Sequence, residues 1–181
     1  MLDYLSIIQR YYTPGNDDYR VLVIHSRQVA DLAVKLSQRL IDQHVPIDIE
    51  FVEEAAMLHD IGIFRCNAPS ICCNGTEPYI RHGVIGGEIL RKEGFPRHAR
   101  VAERHTGTGL TLQQIERQQL PLPHEDFSPE TLEEQIVCYA DKFYSKSRME
   151  RVLTVAEAAQ SLEKFGHEGV LKFLEWSRMF E

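Results

Sequence analysis

The sequence predicts an all-α fold, a helical bundle of about seven to eight helices. Three observations carry this. Apolar residues recur at helical period along most of the chain. No window alternates convincingly with period two. The breakers Pro14-Gly15, Gly62, Gly94 with Pro96, and Gly166 fall between segments of helical length.

Taken in order, a short first helix covers about Leu2 to Tyr11 and ends at Pro14-Gly15. Asn16, Asp17 and Asp18 offer N-caps for a long helix from about Tyr19 to Gln43. Its apolar stripe is Val21, Ile24, Val29, Leu32, Leu36 and Leu40, and His44-Val45-Pro46 ends it. A third helix is expected from about Asp48 to Ile61, with Gly62 placed to stop it. Residues 64–78 hold three Cys, two Pro and Asn74-Gly75 and read as a loop. A fourth helix runs from about Tyr79 to Glu93 and a fifth from about Pro96 to His105. Residues 106–127 form an irregular excursion with room for one helical turn. Thr131-Leu132-Glu133-Glu134 is a capping box that opens a helix to about Tyr144. Two further helices follow, near 152–165 and 168–180.

The chain has 181 residues, of which 43% are hydrophobic and 26% charged, as expected of one ordinary globular domain spanning 1–181. Lys and Arg number 20 against 27 Asp and Glu, a net charge of −7. No extended nucleic-acid or anionic-membrane surface is expected, though a local basic pocket remains compatible. No stretch approaches the ~18 consecutive apolar residues of a membrane span. The opening MLDYLSIIQRYYTPG lacks the basic and apolar regions of an export signal. A cytoplasmic protein is therefore expected, with Cys66, Cys72, Cys73 and Cys138 as free thiols. Cys66, Cys72 and Cys73 match no strong metal motif, and their segment reads as a substrate loop over a pocket mouth.

Polar residues interrupt the apolar stripes at recurring places. His25 lies four residues after Val21 and four before Val29, His59 four after Ala55, His105 four after Val101, and Asp141 four after Val137. His82 is three before Ile85 and seven before Ile89. Residues at these spacings share a helix face, so each side chain points inward. Asp60 follows His59 at a helix end, where its carboxylate can turn to the same centre. One such histidine is ordinarily a satisfied core residue. Four His and two Asp from five separate helices are too many for casual core hydrogen bonding, and a divalent metal centre satisfies them together.

The ordered series His25, His59-Asp60, His82, His105, Asp141 resembles the HD-domain metal-dependent phosphohydrolases, and LHDIG at 58–62 resembles their HDIG subgroup. The stretch ERHTGTGLTLQQIERQQLPLPHEDFSPETLEEQIVCYADKF is similar to a run in uncharacterised HDIG proteins. The resemblance covers about residues 18–148 and implies an HD-domain-like bundle with the remaining C-terminal helices at about 152–180. It implies that His25, His59, Asp60 and Asp141 bind one metal, and that Asp60 bridges to a second held by His82 and His105. It implies two divalent transition-metal ions, Fe or Mn first, with Zn, Co, Ni or Mg as alternatives. Two departures stand out. Ile63 occupies the position after HDIG where many relatives carry Lys. His105 is followed by Thr-Gly-Thr-Gly rather than the Gly-Tyr-Pro signature of cyclic-dinucleotide phosphodiesterases.

The chemistry expected is hydrolysis of a phosphoester or phosphoanhydride of a nucleotide or other small phosphorylated molecule by a metal-activated hydroxide, with His59 and Asp60 at the catalytic centre. Lys142, Lys146, Arg81 and Arg104 are the candidate substrate contacts, Lys142 and Lys146 ahead of the two arginines. His98 and His124 lie off the ligand pattern and read as surface histidines. Phe143, Tyr144 and Trp176 suit either the core or a base-stacking wall. Two other readings compete: a diiron oxygenase using the same ligand set, and a non-catalytic helical binding module with a retained metal site. A homodimer is the expected assembly.

Overall fold

The computed structural model describes residues 2–181. Among them, α1 spans Tyr4–Ile8, α2 Asp17–Asp42, α3 Ile49–Leu58, α4 His82–Lys92 and α5 Pro96–Arg104. Then come α6 at Leu112–Arg117, α7 at Leu132–Asp141, α8 at Val155–Leu162 and α9 at His167–Phe180. Helix α2 packs along α3 and α7, α4 packs along α5, and α3, α5 and α7 meet between them. Among the described residues, no helix is long and apolar enough to cross a membrane.

The core has two main parts. One gathers Val29, Leu36, Val52, Met57, Val137, Tyr139, Phe173 and Phe180 from α2, α3, α7 and α9. The second gathers Ile8, Leu22, Leu58, Ile61, Ile85 and Leu90 around α1, α4 and the turn after α3. Each fully buried side chain of this size contributes roughly 1.5–3 kcal/mol. Phe143 and Trp176 belong to the first part, which decides for the core and against a stacking wall at those two positions. Below the 106–127 excursion, Val84, Leu110, Ile115, Leu122 and Phe127 form a smaller cluster that anchors α6.

The caps expected at α7 are present. Thr131 accepts from the Glu134 backbone N–H, and the Glu134 carboxylate accepts from the Thr131 N–H. Asn16 caps α2 without a side-chain bond, and Asp17 and Asp18 fall inside its first turn, where their charge suits the helix dipole.

Other boundaries differ from the sequence reading. Helix α3 stops at Leu58, so His59 is its C-cap and Asp60 lies in the turn beyond. Gly62 therefore does not end a helix. A Cβ there would sit 2.3 Å from the His82 carbonyl oxygen and 2.5 Å from the Gly86 nitrogen, so its missing side chain is what lets α4 abut the turn after α3. Residues 79–81 form a 3-10 turn, and the α-helix begins only at His82. The loop at 64–78 contains a two-residue antiparallel ribbon, β1 (Asn67–Ala68) with β2 (Cys73–Asn74), too short to show any period in the sequence. Cys66, Cys72, Cys73 and Cys138 are free, and Cys72 alone is exposed.

Candidate metal centre

Five of the six candidate ligands stand at or just beyond a helix end. His59 caps α3, Asp60 follows it, His82 opens α4, His105 caps α5 and Asp141 closes α7. His25 projects from the middle of α2. All six are buried, with His25, His59 and Asp60 wholly inaccessible.

The structure brings them together around Asp60, whose two oxygens face different partners. Oδ2 lies 3.2 Å from His25 Nε2 and 3.1 Å from His59 Nε2. Oδ1 lies 3.6 Å from His82 Nε2 and 3.4 Å from His105 Nε2. Asp141 Oδ1 completes the first side, 2.9 Å from His25 Nε2 and 3.5 Å from His59 Nε2. The result is two ligand groups sharing Asp60: His25, His59, Asp60 and Asp141, with ligand atoms all within 4.8 Å of one another, and Asp60, His82 and His105 within the same limit.

Three rings are aimed the same way. The Nδ1–H of His59, His82 and His105 donates to the carbonyl three residues earlier, that of Ala56, Tyr79 and Ala102, at 2.6, 2.7 and 2.7 Å. This turns each Nε2 toward Asp60, where a neutral ring presents a lone pair. His82 Nε2 and His105 Nε2 then lie 2.9 Å apart with no proton between them. Two lone pairs at that distance repel, unless a cation takes both. Nitrogens at ~2.0–2.1 Å from one ion and at right angles are about 2.9 Å apart. Neither oxygen of Asp60 nor Nε2 of His59 has an aligned hydrogen bond, although all three are buried. This donor set, imidazole nitrogens and carboxylate oxygens with pinned outer nitrogens, fits divalent metal.

The electrostatics divide the two sides, favouring a protonated His59 in the absence of a cation and neutral His82 and His105. Burial opposes charge on His59, but Asp60 and Asp141 outweigh it and lift the ring to about 9. Burial and the neighbouring His105 push His82 down to about 3, so it stays a neutral donor. Burial also lowers His105. Burial works against ionised Asp60 and Asp141, yet Lys146 at Asp60, and Lys142 then Lys146 at Asp141, hold both well below the usual carboxylate range.

Lys146 Nζ lies 2.6 Å from Asp60 Oδ2, on the side of the first ligand group. Lys142 Nζ donates to Asp141 Oδ2 at 2.7 Å and to the His105 carbonyl at 2.8 Å. Both line a cavity of about 510 Å³ that also reaches His82, His105 and Asp141. The 64–78 loop covers part of its mouth through Ala68, Ser70 and Ile71. The two arginines lie elsewhere. Arg81 pairs with Glu77 at 3.3 Å, and Arg104 bonds the Ser128 carbonyl and pairs with Glu130; neither lines the cavity. His98 corrects its surface reading. It is buried edge-on against Phe51 and Phe95, 3.3 Å from Glu54, whereas His124 is exposed.

Sequence reasoning passed over Tyr79. Its ring stacks on His82 at 4.6 Å with 18° between planes, and it lines the cavity. The available signal was its position three residues before a ligand, one helical turn away.

Fold and site thus define a helical domain built to hold metal with His and Asp ligands. A family model described as HD domain matches residues 22–145, and the chain belongs to the HD-domain family. Over 170 residues it is 34% identical to a tRNA (cytidine(56)-2'-O)-methyltransferase of Picrophilus torridus, covering 89% of this chain and 45% of that protein. It is 39% identical over 121 residues to the uncharacterised protein MJ0778 of Methanocaldococcus jannaschii, covering 66% of this chain and 64% of the other. The chain thus spans less than two thirds of the length of these curated relatives. Among solved structures, the HD domain of the L. monocytogenes phosphodiesterase PgpH superimposes with a TM-score of 0.55 at 17% identity, over 96% of this chain and 94% of that one. The same domain in complex with cyclic-di-AMP gives 0.54 at 18% identity, over 95% and 92%. These two likenesses establish the shared fold.

Proposed function

We propose that this chain is a metal-dependent phosphohydrolase that cleaves a phosphoester or phosphoanhydride of a nucleotide or other small phosphorylated molecule at a dinuclear site, with Fe or Mn the first candidates. The observation that carries the reading is the division of Asp60, one oxygen toward each ligand group, beside a cavity lined by Lys142 and Lys146.

His25, His59, Asp60 and Asp141 would hold one ion, and Asp60, His82 and His105 the other. Bound there, two divalent ions supply an acidified water and neutralise charge growing on phosphorus oxygens. The chain supplies the rest. The backbone carbonyls of Ala56, Tyr79 and Ala102 keep three rings aimed, so no reorganisation is needed when substrate arrives. Lys142 and Lys146 offer ammonium groups to the phosphoryl oxygens beside the ligand groups, and the Tyr79 O–H offers a neutral donor. Burial excludes bulk water from His59 and Asp60, which strengthens each of these contacts.

A nucleotide is the first substrate class to screen. The cyclic-di-AMP complex of the PgpH domain and the nucleic-acid chemistry named for the methyltransferase relative both support that order. The Thr-Gly-Thr-Gly after His105 places cyclic dinucleotides behind linear nucleotides in it. The test is elemental analysis of the native protein, followed by anaerobic phosphate release over nucleoside mono-, di- and triphosphates and linear dinucleotides. Release without oxygen is the expected result. Oxygen uptake with substrate and no anaerobic release would make the protein a diiron oxygenase instead.

A further inference from the structure

The cavity extends well beyond the two ligand groups. We infer that its outer end is a second anion subsite built on Arg148 and Lys164, so that the preferred substrate carries a second phosphate in addition to the one being cleaved. This rests on the phosphohydrolase reading of the inner end.

Charge provides the first argument. In a chain of net charge −7, the cavity is lined by five cations and a single carboxylate, Asp141. Lys142 and Lys146 answer the carboxylates of Asp141 and Asp60, and Arg151 pairs with Glu157. Arg148 and Lys164 also line the cavity and, among the described residues, form no ion pair. A guanidinium and an ammonium without carboxylate partners, facing one cavity, are an uncompensated site for a phosphate.

The second argument is that the outer wall is built. The 144–152 loop that carries Arg148 is closed by an antiparallel bridge between Tyr144 and Val152 and by Leu153 N–H donating to the Phe143 carbonyl at 2.9 Å. Gln28 of α2 donates to the Met149 carbonyl at 2.7 Å, and Arg151 N–H donates to the Arg148 carbonyl at 3.1 Å. Lys164 lies with its ammonium 5.0 Å from the centre of the Phe165 ring, which also lines the cavity. Size is the third argument. About 510 Å³ is the volume of a pocket that encloses a whole small ligand, and one phosphoryl group at the ligand groups would leave the Arg148 end without a partner.

The experiment compares binding of adenosine 5'-monophosphate and adenosine 3',5'-bisphosphate to the metal-loaded protein by calorimetry. The bisphosphate should bind at least about 10-fold tighter. In the double variant Arg148→Ala/Lys164→Ala the gap should close to within about 2-fold while monophosphate affinity stays unchanged; both side chains are exposed, so the fold is not at stake. Equal affinities in the native protein, binding of neither ligand, a gap that survives in the double variant, or a parallel fall of both affinities would each overturn the subsite. Turnover is read separately. A closing gap without phosphate release from any substrate defeats the hydrolase reading and leaves the subsite standing. Release without a gap defeats the subsite alone.

Discussion

The inner and outer ends of the cavity are built from different material. The inner end takes its ligands from helix faces and helix ends, buries all of them, and gives three rings a backbone anchor of their own. The outer end takes its cations from a bridged loop and a 3-10 turn and leaves them exposed. On the proposed reading, chemistry that tolerates little misplacement would sit on rigid elements, and recognition that must release its ligand on the periphery.

Substitutions should divide along the same line. Asp60→Asn belongs wholly to the inner end. It should remove metal from both ligand groups and lower turnover by about 1000-fold or more, checked by elemental analysis and phosphate release. Retention of full metal content would break the assignment of a shared carboxylate. Gly62→Ala tests whether the inner end depends on the close approach of α4. The added methyl meets backbone on α4, so stability should fall by about 1–3 kcal/mol in urea denaturation, and metal at the His82–His105 side should drop before that at His25.

His98 gives a smaller effect away from both ends. Burial depresses its protonation in the folded chain despite Glu54. A depressed folded pKa means that its contribution is fully present above ~6.5 and is lost as pH falls below that value. The native protein should therefore lose more thermal stability between pH 7.5 and 5.5 than His98→Gln, by about 2 °C in melting temperature. A steeper loss in the variant would reverse the sign and refute this account. Smallest of all, Arg81→Ala should leave metal content and substrate affinity within about 2-fold, because its partner is Glu77 and not the cavity.

Five of the candidate ligands were legible because each lies on or at the end of a helix with apolar residues three, four or seven positions away, and that spacing states which way a side chain points; Asp60 was read instead from its place beside His59 where the helix ends. Arg81 and Arg104 were chosen for a different reason, adjacency to His82 and His105. Neighbours on a helix diverge by roughly 100°, so a residue beside an inward ligand points elsewhere. Lys142 escapes this because it is the C-cap of α7, where the chain turns. Arg151 precedes the helix expected near 152–165 and Lys164 falls at its end, where the chain turns as a 3-10 helix, and only the folded chain places them at the cavity. His98 looked peripheral because its burial comes from Phe51 on another helix and from Phe95 before its own, contacts that no local pattern records. Gly62 showed its importance as a breaker, but the reason it cannot carry a side chain lies twenty residues away at His82.

The bond from each of three imidazoles to a carbonyl one turn behind has a consequence for how the protein comes to work. A ring steered by its own helical turn needs no distant segment to set its bearing. Three rings held this way have little rotamer freedom left to lose on binding an ion at their Nε2 atoms.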